Sequence, residues 1–161
     1  MKLTDYTDYS LRTLIYSALA PDRLVTIQEI SDAFGIPRNH LIKIVHALGK
    51  AGYLTTVRGR TGGIRLSRPA AKINVADVVR SMEPDFHMVE CFDTEHNSCV
   101  ITGPCGLRGA LGIALKAYLD VLARYSIADL VARRQPLATA LRVDSPLRFI
   151  PVTSTSGDAK H

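Results

Sequence analysis

Apolar residues recur at helical spacing in several separate stretches of the chain. From Thr4 to Ala20, Leu11, Leu14, Ile15 and Ala18 fall at i, i+3, i+4 and i+7, which predicts a helix with one buried face. Pro21 ends it. Thr26-Ile-Gln-Glu29 has the form of a capping box and opens a second, short helix with Ile27, Ile30 and Phe34 on one side. Gly35 stops that helix, and Pro37 suits the first turn of a third. There Leu41, Ile44, Val45 and Leu48 form an inward stripe that Gly52 terminates. The period then changes. Tyr53–Val57 and Ile64–Leu66 read as two strands joined by Arg58-Gly-Arg-Thr-Gly-Gly63, a hairpin whose tip carries two arginines among three glycines.

Helical spacing returns at Asn74, a cap for a fourth helix with Val75, Val78, Val79 and Met82 on one face, closed by Glu83-Pro84. Pro104-Cys105 opens the longest helical pattern. Leu107, Leu111, Ala114, Tyr118, Val121 and Tyr125 are spaced 4-3-4-3-4, a heptad stripe suited to pairing with a second copy. A helix buried in a monomeric core has the same periodicity. Ser126-Ile-Ala-Asp129 caps a last short helix through Arg133, and beyond Gln135-Pro136 the signal fades.

Two helices joined by a glycine-containing turn and followed by a hairpin make a winged helix-turn-helix. The expected fold is mainly α with a small β-hairpin wing and a long dimerisation helix. Its divisions are 1–68 for the winged unit, 69–90 for a linking helix and loop, and 91–105 for a cysteine loop. Residues 106–134 follow as dimerisation helices, and 135–161 as a flexible tail.

Charge adds a partner to this picture. The formal net charge of +5 favours an anionic one. The outward face of the third helix carries Asn39, Lys43, His46 and Lys50, with Arg38 and His40 at its start and no carboxylate. Such groups suit a major groove, with Arg reading guanine, Asn adenine and Lys phosphate. Arginines on a glycine tip suit a narrow minor groove. A nucleotide-binding loop is the rival for the tip, and it lacks the required spacing and Lys-Ser/Thr pair. The candidate DNA contacts are Gln28, Arg38, Asn39, His40 and Lys43 on the helices, and Arg58, Arg60, Thr61, Gly62 and Arg65 on the wing. Asp8 and Arg12, one turn apart, read on spacing alone as an exposed ion pair.

All three cysteines lie in one window, Cys91, Cys99 and Cys105, as C-x7-C-x5-C. With no apolar leader and no run of about 18 apolar residues, a cytoplasmic protein with no membrane partner is expected, where structural disulfides are rare. Zinc prefers four ligands in closely spaced pairs, absent here, whereas iron–sulfur clusters tolerate wider spacing. Three thiolates leave one position for another ligand. His87, Glu90, Asp93, Glu95 and His96 are local candidates, and a remote segment or a partner subunit is the alternative.

Tyr-Thr-Asp-Tyr-Ser-Leu-Arg12, Arg-Asn-His-Leu-Ile-Lys43, Arg-Gly-Arg-Thr-Gly-Gly63 and the loop ending Gly-Pro-Cys105 together resemble the Rrf-type winged-helix regulators, most of all their nitric-oxide-sensing members. The resemblance covers residues 1 to about 133. It implies a homodimeric repressor of operator DNA with one iron–sulfur cluster per subunit, [4Fe-4S] before [2Fe-2S], held by Cys91, Cys99 and Cys105. It also implies a fourth ligand from Asp8 of the partner subunit, with Arg12 steadying it, and nitric oxide as the effector. In cluster-biogenesis regulators of the family a histidine three residues past the last cysteine is the ligand; here Arg108 stands there and cannot bind iron. A redox- or cluster-status sensor of the same family is the nearest alternative. A cluster-bearing electron-transfer module would leave the basic helix and wing idle, and no nucleophile–base pair points to an enzyme.

Overall fold

The computed structural model describes residues 2–143. Helix α1 (Asp5–Leu19) runs through the middle of the molecule and touches α3, α4, β2, α6 and α7 as these are defined below. Leu14 and Ala18 are buried as the spacing predicts, while Leu11 and Ile15 pack only at the edge of the core. The deeper face includes Thr7, Ser10, Thr13 and Ser17. These small hydroxyl side chains let neighbouring elements approach closely. Ser10, Thr13 and Ser17 each donate to the carbonyl four residues back, at 2.7, 2.8 and 2.9 Å, so none is left unsatisfied.

Helix α2 (Ile27–Phe34) begins with the expected capping box. Glu29 accepts from the Thr26 amide at 2.7 Å, and its own amide donates to the Thr26 hydroxyl at 3.2 Å. It ends at Gly35 in the left-handed region, φ 66°. Helix α3 (Arg38–Lys50) buries Leu41, Ile44, Val45 and Leu48. Pro37 stands just before its first turn, as the N-cap.

Strands β1 (Leu54–Val57) and β2 (Gly63–Leu66) pair antiparallel, Leu54 opposite Leu66 and Val57 opposite Gly63. A bridge from Val25 to Ile64 ties the wing to the segment before α2. Gly59 takes φ 113°, and a Cβ at Gly62 would run into the Val57 carbonyl oxygen, so the turn needs both glycines.

Helix α4 (Val75–Met82) is capped by Asn74 and buries Val75, Ala76, Val78, Val79 and Met82. Directly after it, Glu83 reaches back to the start of α1. Its carboxylate accepts from the Thr4 amide at 3.1 Å, the Thr4 hydroxyl at 3.0 Å and the Thr7 hydroxyl. A carboxylate at a helix N-terminus satisfies orphan donors and complements the dipole. Glu83→Ala is expected to lower stability by about 1–3 kcal/mol, because it strands those donors. The readout is a lower urea midpoint at unchanged slope.

Helix α5 (Gly106–Leu122) has no buried residue along its 17 positions. The predicted stripe ran to Tyr125, but the helix stops at Leu122. Tyr125 lies past its end, where its carbonyl accepts from the Val75 amide at 2.9 Å. Helix α6 (Ile127–Leu130) carries the predicted Ser126–Asp129 capping box and ends before Arg133. Its Ile127 is fully buried in the core of its own chain, so α6 is drawn inward.

Helix α7 (Arg134–Leu141) corrects the expectation that residues from 135 onward form a tail. Pro136 sits in its first turn, where a missing N–H costs nothing, and Ala138 and Val143 are buried. Arg23 ties this end down, donating to the Val143 carbonyl at 2.9 Å while pairing with Glu29 at 2.7 Å. The rest of the expected tail, 144–161, lies outside the described residues. One core joins α1–α3, the wing, α4, α6 and α7, and α5 contributes to it only through Leu122 at its C-terminal end.

Candidate functional site

Two surfaces carry the chemistry. On the first, α3 leaves Arg38, Asn39, His40, Lys43, His46 and Lys50 exposed, as their spacing opposite the buried stripe requires. Arg58, Arg60 and Thr61 are exposed at the wing tip, where the Gly62 amide closes the turn on the Gly59 carbonyl at 3.0 Å. Arg65 is exposed on β2 opposite Thr55. Among the described residues, Arg38, Lys43, Arg58, Arg60 and Arg65 form no ion pair. Among the described residues nothing compensates their charge, which suits phosphate contact. Gln28 differs. It is exposed on α2, but its amide nitrogen donates to Asp32 at 2.7 Å, so it must release that bond to reach a base.

The second surface is the cysteine loop. All three thiols are free, Cys91 buried and Cys99 and Cys105 half-buried. Polar side chains frame them. Glu90 accepts from the Ser98 amide at 2.7 Å and its hydroxyl at 2.6 Å, which hold its carboxyl below the usual range, the hydroxyl most. Asp93 binds the His96 ring at 2.9 Å and accepts from the Glu95 amide at 2.9 Å, and these contacts lower its pKa in that order. Asn97 accepts from the Cys99 amide at 3.0 Å and donates to Thr102 at 2.9 Å. Arg108 donates to the Cys91 carbonyl at 3.2 Å. Of the local ligand candidates, Glu90 and Asp93 are therefore occupied in shaping the loop.

Cys105 is the N-cap position of α5, and no side chain caps that end. A thiolate there faces the positive end of the helix. It borders an open groove of about 590 Å³ lined also by Phe86, His87, Phe92, Arg108 and Leu115. Among the described residues no three His, Cys, Asp or Glu side chains converge closely enough to hold a single metal ion. Within this chain Asp8 pairs with Arg12 at 2.6 Å, both about two-fifths exposed, and the Arg12 guanidinium lies 5.8 Å from the Tyr9 and Phe34 ring centres. The short i, i+4 ion pair that spacing suggested is present.

The pattern that defines the Rrf2 family, described as iron-dependent transcriptional regulator, matches residues 3–133. The chain belongs to the Rrf2 family. It is 47% identical over 142 residues to the HTH-type transcriptional regulator NsrR of Bacillus licheniformis, covering 88% of this chain and 99% of that protein. To the Bacillus subtilis regulator of the same name it is 48% identical over 144 residues, covering 89% and 99%. Among solved structures, T. potens IscR superposes with a TM-score of 0.67 at 21% identity, covering 84% of this chain and 90% of that one. Oxidised Staphylococcus aureus CymR gives 0.67 at 23% identity, covering 81% and 95%. Those two likenesses show the winged-helix fold. As an Rrf2 member the chain is a DNA-binding transcriptional regulator and not an enzyme. No described helix is long and apolar enough to cross a membrane.

The sequence marks Glu83 only as the close of α4 and not as the clamp on α1, and it does not single out Asn97 or Thr102, which brace Cys99. Asp93-x-x-His96 and Asn97-x-Cys99 are turn-forming spacings, and that was the available signal.

Proposed function

We propose that this Rrf2 regulator is a homodimeric repressor that holds one iron–sulfur cluster per subunit and releases operator DNA when nitric oxide reacts with it. One observation carries the reading: three free thiols stand in a single framed loop at the foot of α5, a helix with no buried residue, in a chain that also exposes a basic helix and wing whose Arg38, Lys43, Arg58, Arg60 and Arg65 form no ion pair among the described residues. The donor set fits the group. Three cysteines in one loop at C-x7-C-x5-C spacing suit an iron–sulfur centre better than zinc, which prefers four ligands in closely spaced pairs.

Cys91, Cys99 and Cys105 would hold the cluster, [4Fe-4S] in preference to [2Fe-2S], and the partner's Asp8 would complete it. Bound there, the cluster supplies irons that react with nitric oxide. The chain supplies the coupling. Asp8 lies on α1, the helix against which α3 packs, so a bond from Asp8 to the other subunit fixes where each recognition helix stands. Arg12 holds Asp8 when that bond is absent. Differential free energy between the two arrangements sets the switch, and about 3 kcal/mol weakens operator binding about 100-fold.

The test is protein purified without oxygen, titrated with nitric oxide against a duplex selected from a random pool. Visible absorption and duplex affinity should fall together. A colourless protein whose affinity ignores nitric oxide overturns the reading. At the wing, Arg60→Ala is expected to weaken duplex binding about tenfold and to reduce the salt slope by about one. An unchanged slope removes the wing from the contact.

A further inference from the structure

In the DNA-reading half, the large apolar side chains left exposed are Tyr6, Ile42 and Val57, and Ile42 is the most exposed at 52%. It stands in the middle of the basic face of α3. Arg38 lies one turn before it and His46 one turn after, and Asn39 and Lys43 flank it. The buried stripe of the same helix is complete without it, since Leu41, Ile44, Val45 and Leu48 fill the core side.

A β-branched residue in that place is a poor choice for a merely solvated face, where Lys, Gln or Glu favours helix and water alike. It is a good choice for a rigid apolar contact, because in a helix its χ1 is held almost wholly in one rotamer. The one apolar group that a base pair presents in the major groove is the thymine 5-methyl. We infer that Ile42 reads a thymine methyl at the centre of each half-site, between the base and phosphate contacts of Arg38, Asn39 and Lys43. This rests on DNA binding by α3 and adds to it a defined base preference.

The experiment uses the full-length protein with its cluster and a duplex selected from a random pool, with each thymine replaced in turn by uracil, which removes only the methyl. Wild type should lose about fourfold in affinity at one position per half-site, and about 15-fold when both are replaced. Ile42→Ala should bind the parent duplex more weakly by a similar factor and show a flat profile across the replacements. Ile42→Val should keep a reduced dip at the same position. Since Ile42 is half exposed, neither variant should lose helix content by circular dichroism. A wild-type profile without any uracil-sensitive position overturns the inference while leaving DNA binding intact. So does a dip that survives undiminished in Ile42→Ala. Absence of binding to every duplex would overturn the DNA-binding premise along with it.

Discussion

Cys99→Ala or Cys105→Ala is expected to bleach the anaerobically purified protein and to weaken operator binding about 100-fold. Both thiols are half-buried, so truncation leaves only a small void and the fold should stay intact. Cys91 is 8% exposed, and its alanine variant carries a modest packing cost as well, which makes it the less clean of the three. Loss of one thiolate from three leaves too few protein ligands to retain the irons, so colour should vanish rather than shift. Binding should fall because the constraint between the two winged units is gone, with the basic surfaces themselves unaltered. The residual affinity should therefore be nonspecific and steeply salt-dependent. A triple-alanine variant that still binds its operator tightly at physiological salt would end the switch hypothesis, and Rrf2 membership would stand regardless.

Alanine at the cysteines should also separate the loop's own order from the group proposed to bind there. Glu90 accepts both donors of Ser98, and Asp93 gathers His96 and Glu95 through protein bonds alone. Both carboxyls are held below their ordinary range, so this framing is present above the usual carboxylate pKa and is lost as pH falls through the lowered values. The loop should stay framed at neutral pH without its cluster.

Legibility in the sequence followed how local the physics was. The α3 stripe, the capping boxes at Thr26 and Ser126 and the glycine wing are set by residues within one turn of each other, and each stands as its spacing predicted. The buried side of α1 was harder to read, because Thr7, Ser10, Thr13 and Ser17 count as polar until their hydroxyls are seen satisfied by the preceding turn. Glu83 acts on residues 79 and 76 positions away, which no window could reveal. Helix α7 is short and capped by no side chain, so nothing at its start announced it. At the candidate site the three thiols were plain from the spacing. The framing by Asn97 and Thr102 was not, since it depends on the path the loop takes between Cys91 and Cys105.

Helix α5 bears on the one question that periodicity left open. A stripe of Leu107, Leu111, Ala114, Tyr118 and Val121 fits a buried helix of a monomer or a seam between two copies, and burial separates the two. Leu107 is 65% exposed, Val121 48%, and Ile113 beside the stripe 73%. Its inner edge meets α4, and burial and then the Glu83 carboxylate push the Tyr118 phenol above its usual value. So large an apolar surface along about 26 Å of helix suits the proposed pairing of two copies. Leu107→Asp with Val121→Asp should convert the protein to a monomer. Burying what is now exposed of these two side chains in both copies is worth about 1 kcal/mol each, about 4 kcal/mol in all, or roughly a thousandfold in dimer dissociation constant. Like charges facing across the seam add to this. Because both positions lie at the surface of the single chain, its urea midpoint should hardly change once dimer linkage is removed by dilution. Sedimentation at micromolar concentration reads the result directly. A dimer of undiminished stability in the double variant would place the seam elsewhere and return α5 to an unexplained apolar face. A monomer should still bind one half-site weakly and lose the specificity that two linked recognition helices confer.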